Sequence, residues 1–333
     1  MADKAHILTD EKLAQMEKRL SAIYSEDQRD IQAKLLDFAE SVENESTQLL
    51  DAIKQSTTRE EEKAAKDAYL RFFKGVVKTK TFKDLSAEIA LDLFNTNTKA
   101  SAYINSQTPE IYALNYNWIN DELSKDIPDF VSQTITSKEA DKYGDLTKQT
   151  VSKSKDTKWN EGNIKKSVIV GASLYLGANA IAKRSAKIVA KKNHNSASMH
   201  SEGMGTDAEN KARLDGMYRA EDMGNELTKF WMATLDNRTR DSHAMLDGVS
   251  VPLNDTFDNG LERPRDPNGA PAEICNCRCT MTYGVGQAKG KTRSSRLGNV
   301  SGSYKKSSSF KNTQSEEIAN MTYREWMKWH KNQ

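Results

Sequence analysis

EICNCRCTMTYG, residues 273–284, contains every cysteine of the chain: Cys275, Cys277 and Cys279, at alternate positions. Thiols this close together in a chain of 333 residues are not scattered core filler. Four readings compete: a metal site, a nucleophile, a disulfide, and small side chains packed in a core. A bridge between residues i and i+2 is strained. The odd number and tight clustering also argue against the disulfide framework of a secreted domain. A catalytic thiol needs a base and an activating environment, for which His243 and Arg278 are the available groups. Zinc would take sulfur from Cys277 and Cys279 and nitrogen from His243, with Cys275 as a further thiol. Against zinc stands the spacing, because zinc sites usually separate their cysteines by two to four residues. On a strand, alternate Cα atoms lie roughly 7 Å apart. Thiols packing like Ala or Val on a core strand are the commonest case. Zinc through Cys277, Cys279 and His243 is the single cofactor the residues suggest.

Upstream, DNRTRDSHAMLD, residues 236–247, crowds Asp236, Arg238, Arg240, His243 and Asp247 into one turn and a short helix. A nuclease reading makes His243 the base and the arginines phosphate clamps. A structural reading has Asp236 cap the turn while Arg and His tie loops together. Around these residues LTKFWMATL (227–235), GVSVPL (248–253) and CRCTMTYGV (277–285) read as extended pieces, and RPRDPNGAP (263–271) as loop. Residues 227–285 are thus expected to form a small α+β module.

Residues 10–95 read as amphipathic helices. Leu13, Met16, Leu20 and Ile23 step by three and four, Leu35, Leu36, Phe38 and Val42 continue the face, and Thr58-x-x-Glu61 is a capping box. Pro109 is expected to open a new helix. Residues 137–162 are polar and aperiodic, as in an exposed linker. A long helix is expected from about Asn163 to Asn193, broken by NHNSASMHSEGMG, with Ala208–Met223 helical again. SVIVGASLYLGANAIA, residues 167–182, is uncharged but shorter than the roughly 18–20 residues of a membrane span, and reads as buried helix. Residues 286–311 carry Lys289, Lys291, Arg293, Arg296, Lys305, Lys306 and Lys311 and no acidic residue, among Gly and Ser. This is the pattern of a flexible basic arm suited to DNA. The net charge of +2 conceals that segregation. MADKAHILTDEKL has no apolar core of a signal peptide, so synthesis in a reducing cytosol is expected. The fold class is α+β: a largely helical region over 1–136, the linker 137–162, a long helix plus module over 163–285, and the basic tail 286–333 ending in a short amphipathic helix.

The order Trp231, Asp236, Arg238, Arg240, His243, Asp247-Gly248, Asp266-Pro267, Cys277-Arg278-Cys279 resembles the bacteriophage Mu F-like minor head proteins, also called phage head morphogenesis proteins. AYINSQTPEIYALNYNWIN and the terminal MTYREWMKW resemble the flanking parts of such proteins. Cys275 departs from the pattern, which needs only the Cys-x-Cys pair. The resemblance implies a non-enzymatic protein of the phage head interior, made in the host cytoplasm. It implies association with the portal protein and packaged double-stranded DNA, and a role in head morphogenesis or genome ejection. The scaffold and the major capsid protein are further candidate partners. The alternative is a His-based or metal-dependent nuclease.

Overall fold

A computed structural model describes residues 3–144, 146, 148 and 156–286. The helices are α1 (Lys4–Gln55), α2 (Arg59–Val76), α3 (Lys80–Asp126), α4 (Ser137–Tyr143), α5 (Thr157–Ser173), α6 (Ala178–Asp222), α7 (Asp241–Met245) and α8 (Pro271–Ile274). The strands are β1 (Leu227–Met232), β2 (Ser250–Pro252) and β3 (Thr280–Val285). The expected α+β class is what is found. Among the described residues no helix is long and apolar enough to cross a membrane.

The described residues form two compact units, one made of residues 3–16, 105–144 and 201–286 and the other of 17–104 and 156–200. Segments of α1, α3 and α6 enter both. In the second unit apolar helix faces converge: Ile31, Leu35 and Ala39 of α1, Tyr69 and Phe73 of α2, Phe82, Ile89 and Leu93 of α3, and Ile164, Val168, Ile181 and Val189 of α5 and α6. The capping box forms, with Glu61 N–H donating to Thr58 Oγ1 (3.2 Å) and Thr58 N–H to Glu61 Oε2 (3.1 Å). A buried polar chain crosses the same core. The Tyr24 hydroxyl donates to Asn97 (2.6 Å), Asn97 to Asn193 (2.9 Å) and Asn193 to Asn160 (2.9 Å). Each buried amide is thereby satisfied by another, which sets the register of four helices more sharply than apolar contact does.

Several helix boundaries differ from the sequence reading. Residues 167–182 are not one helix: the chain turns at 174–177, with Tyr175 at φ 52°. The Tyr69 hydroxyl holds the turn by donating to the Leu176 carbonyl. Conversely, NHNSASMHSEGMG does not break α6. Its glycines serve close packing: a Cβ at Gly205 would come within 2.5 Å of Leu13, and one at Gly203 would overlap the Arg265 guanidinium. Pro109 lies inside α3 instead of opening a helix. The buried residues that follow it, Ile111 and Tyr112, anchor the helix beyond the missing N–H. The polar segment 137–162 contains α4 and the start of α5, where Asp156 accepts from Trp159 N–H (2.7 Å).

In the first unit the sheet has the order β2-β1-β3, antiparallel throughout, with Trp231 opposite Met281 and Lys229 opposite both Val251 and Tyr283. Leu227, Met281 and Tyr283 pack with Ile119, Leu123, Leu214 and Met217 of α3 and α6. At this junction Arg213 is fully buried. It pairs with Asp3 (2.6 Å) and Glu209 (2.9 Å), and donates to Asn115 (3.1 Å) and the Met281 carbonyl (2.9 Å).

Two outcomes test these arrangements. Arg213→Met keeps most of the side chain's volume but leaves two buried carboxylates without their cation. Urea unfolding at pH 7 should show a loss of about 3–5 kcal/mol; a loss under about 1 kcal/mol would show the network to be dispensable. The second concerns Asp27, in the other unit. Burial raises its pKa from 3.8 to about 6, against the hydrogen bond from Thr96, with Asp92 and Asp30 adding to the rise. Its protonated form favours the fold, so that contribution is complete below 3.8 and is lost as pH rises through about 6. Asp27→Asn should therefore raise the melting temperature at pH 8 and change it little at pH 4. An equal gain at both pH values would show that ionisation of Asp27 is not the cause.

Candidate functional site

The motif residues converge beyond the end of β1. Trp231 is fully buried, and its ring meets His243 (5.2 Å between centroids) and Phe257 (5.2 Å) edge to face. Ala233, Leu235, Ala244, Leu246, Phe257, Leu261, Cys277 and Cys279 complete this core. Regular pairing stops at Met232 opposite Thr280. Side chains then take over the backbone groups. Asp247 accepts from Ala233 N–H (2.9 Å), Thr234 donates to the Arg278 carbonyl (2.6 Å), and Asn210 donates to the Cys279 carbonyl (3.0 Å). Buried backbone groups outside a ladder need such partners.

That substitution corrects the reading of CRCTMTYGV as strand. β3 begins only at Thr280, and Cys277 and Cys279 lie in the irregular segment before it. Asn276 between the first two cysteines has φ 56°, a left-handed conformation that asparagine tolerates. Cys277 N–H reaches back to the Ile274 carbonyl (3.3 Å). The objection to close cysteine spacing assumed a flat strand, so it does not apply. Both sulfurs face one imidazole: Cys279 Sγ is 3.4 Å and Cys277 Sγ 3.7 Å from His243 Nδ1. Cys275 is exposed.

The turn before α7 is held by Asp236, which accepts from Arg238 N–H (2.9 Å) and from Thr239 Oγ1 (3.1 Å) and takes both guanidinium nitrogens of Arg278 (2.8 and 2.7 Å). Burial opposes ionisation of Asp236, but Arg278 outweighs it and the pKa falls below 3.8. The Arg238 side chain is 56% exposed, so its motif position serves mainly through its backbone. Arg240 donates to the Cys275 carbonyl and Arg265 to the Ile274 carbonyl (3.0 Å). Asp266 closes the preceding loop, accepting from Asn268 N–H (2.9 Å) and Glu262 N–H (3.2 Å).

The sequence reading passed over Glu273, although it begins the quoted stretch. Its Oε2 lies 3.0 Å from His243 Nε2, and Ser242 donates to it (3.2 Å). Burial lowers the His243 pKa, but the hydrogen bond and charge of Cys279 outweigh burial, with Glu273 adding, so the net direction is upward. Burial pushes the Cys279 thiol well up, reinforced by Cys277. The Cys277 thiol moves down, through its hydrogen bond with Cys279 first and then Arg265 and Arg240, against burial. Lys229 was also missed. It is buried on the central strand, its ammonium 5.7 Å over the Phe257 ring, and burial lowers its pKa to about 8.

The seven basic residues assigned to DNA, Lys289, Lys291, Arg293, Arg296, Lys305, Lys306 and Lys311, lie outside the described residues, as does the terminal amphipathic segment.

In comparisons with known proteins, residues 163–282 match the family described as Phage Mu protein F like protein. The chain is 36% identical over 67 residues to NAD(+)--arginine ADP-ribosyltransferase EFV of Enterococcus faecalis, covering 20% of this chain and 14% of that protein. It is 31% identical over 74 residues to Minor head protein GP7 of Bacillus phage SPP1, covering 21% of this chain and 24% of that protein. The matched segments are thus a minor part of either relative. No solved structure matches.

The Asp236–Arg278 pair supplies a test. A carboxylate with a lowered folded pKa adds stability above its unfolded pKa and loses it as pH falls through the folded value. Asp236→Asn should cost about 1.5–3 kcal/mol at pH 7. The difference from wild type should shrink as pH is lowered below 3.8. A difference that stays constant from pH 7 to pH 3 in urea titrations would remove the ion pair as its source.

Proposed function

For a chain whose residues 163–282 match the Phage Mu protein F like family, we propose a non-enzymatic minor protein of a phage head. The observation that carries this reading is the family match itself, which spans α5 to β3 and so takes in the whole ordered motif. The relative named as a minor head protein adds support. The match to an ADP-ribosyltransferase covers 14% of that enzyme, a segment too small to bring its activity with it. The site favours a structural role as well. His243 is buried, Nε2 against Glu273 and Nδ1 against two sulfurs. Asp236 is occupied by Arg278, and Arg240 by a backbone carbonyl. A nuclease would need these groups turned toward a phosphodiester.

In this reading the protein is made in the host cytoplasm and enters the head interior. It binds the portal protein through its helices and packaged duplex DNA through residues 286–311, with scaffold and major capsid protein as secondary contacts, and acts in head morphogenesis and genome ejection. Co-expression with the cognate portal and capsid proteins tests it: the protein should co-purify with the portal and be found in assembled heads. Incubation with plasmid DNA and RNA, with and without divalent cations, should yield no cleavage. Exclusion from heads, or metal-dependent cleavage abolished by His243→Ala, would overturn the reading.

The basic segment yields a quantitative expectation. Each duplex phosphate neutralised adds roughly −0.9 to the slope of log K against log salt, so seven contacts set a limit near −6. Deleting 286–311 should remove most of the measured slope and leave portal binding intact. An unchanged slope and affinity would move the DNA site elsewhere, first to the exposed basic side chains of α6, Lys183, Arg184, Lys187 and Lys191.

A further inference from the structure

We propose that His243 Nδ1, Cys277 Sγ and Cys279 Sγ bind one thiophilic divalent cation, zinc by chemical class, with Glu273 orienting the imidazole from its far side. The cation would tie α7 to the segment before β3 and close the core around Trp231. This inference does not depend on a role in the phage head.

Geometry is the first support. The three donor atoms lie within 4.8 Å of one another. Zinc bonds of about 2.0–2.1 Å to nitrogen and about 2.3 Å to sulfur, at a tetrahedral angle, separate the two ligand atoms by roughly 3.5–3.6 Å. The two nitrogen–sulfur distances here, 3.4 and 3.7 Å, straddle that value.

The hydrogen-bond inventory is the second. Glu273 accepts at Nε2, which fixes the imidazole proton there and leaves Nδ1 with a single lone pair. Both sulfurs face that lone pair, and the two thiols also hydrogen-bond to each other, so all three donor atoms crowd into one buried cluster. A cation serves all three donors at once. A carboxylate on the distal nitrogen is also the usual companion of a metal-bound histidine, because it holds tautomer and ring plane.

The backbone is the third. The left-handed residue Asn276 and the reach of Cys277 N–H to Ile274 bend the chain so that both sulfurs point the same way. Arg240 and Arg265 clamp the carbonyls of Cys275 and Ile274, so this bend is held from outside. Their positive charges weigh against a cation, and two thiolates with Glu273 more than offset them. Cys275 is exposed and outside the cluster, so it is not a ligand.

The test uses the full chain, purified under reducing conditions without chelator. Elemental analysis should give about one zinc per chain. Cobalt(II) added to the metal-stripped protein should produce a thiolate charge-transfer band and the intense visible bands of a tetrahedral site. Cys275→Ser should retain both signals. Glu273→Gln should keep the cobalt spectrum while weakening affinity about 10–100-fold. Because Cys277 and Cys279 variants risk misfolding, the wild-type titration decides by itself. Folded, reduced wild-type protein holding under about a tenth of a zinc per chain, with no cobalt band, overturns the proposal. Loss of the band in Cys275→Ser overturns the ligand assignment.

Discussion

A buried guanidinium organises the first unit. Arg213 contacts Asp3 ahead of α1, Asn115 on α3, Glu209 on its own helix and the Met281 carbonyl on β3, with the Trp118 ring 4.5 Å from its Cζ. A charge out of water is tolerated only when nearly every donor is matched. Here the partners come from the residue before α1, from α3, from β3 and from α6 itself, so the match requires these elements to arrive together. Both acids respond: burial opposes the ionisation of Asp3 and of Glu209, yet Arg213 and His6 bring both pKa values below their ordinary range. Glu209 extends the network to His6 (2.9 Å) and to the Thr280 hydroxyl (3.2 Å), the residue at which β3 begins.

The module beyond that junction is held in another way. It has three short strands and two helices of one turn, too little regular structure to satisfy its own backbone. Side chains supply the missing partners. Asp236, Asp247 and Asp266 accept from N–H groups, while Thr234, Arg240, Arg265 and Asn210 donate to carbonyls. This explains why a motif rich in Asp, Arg and His looks catalytic in one dimension. The same residue types that clamp phosphates also clamp loops, and only their partners distinguish the two uses.

The two named relatives, one called a head protein and the other an enzyme, match only 20% and 21% of this chain. Function follows sites and attachments more than fold. Under the two proposals made above, the buried histidine–cysteine cluster and the basic residues at 289–311 belong to different tasks, one in folding and the other in binding DNA.

Local signals in the sequence determined a good deal. Periodic apolar residues placed α1, the Thr58–Glu61 box placed the start of α2, and β-compatible stretches placed β1 and β3 to within a few residues. The motif order singled out the side chains that converge around Trp231. Tertiary structure decided the rest, because the deciding contacts are distant in the chain. Glycines that would break an isolated helix continue α6 where Leu13 and Arg265 press against them, and Pro109 sits within α3 between packed neighbours. An apolar run that reads as one helix turns at Tyr175, where Tyr69 from another helix captures its carbonyl. The two cysteines reach one histidine because side chains from α6 and from the β1–α7 turn replace the strand's hydrogen bonds just before Thr280. Periodicity reports what a residue prefers among its neighbours, whereas these outcomes rest on what arrives opposite it.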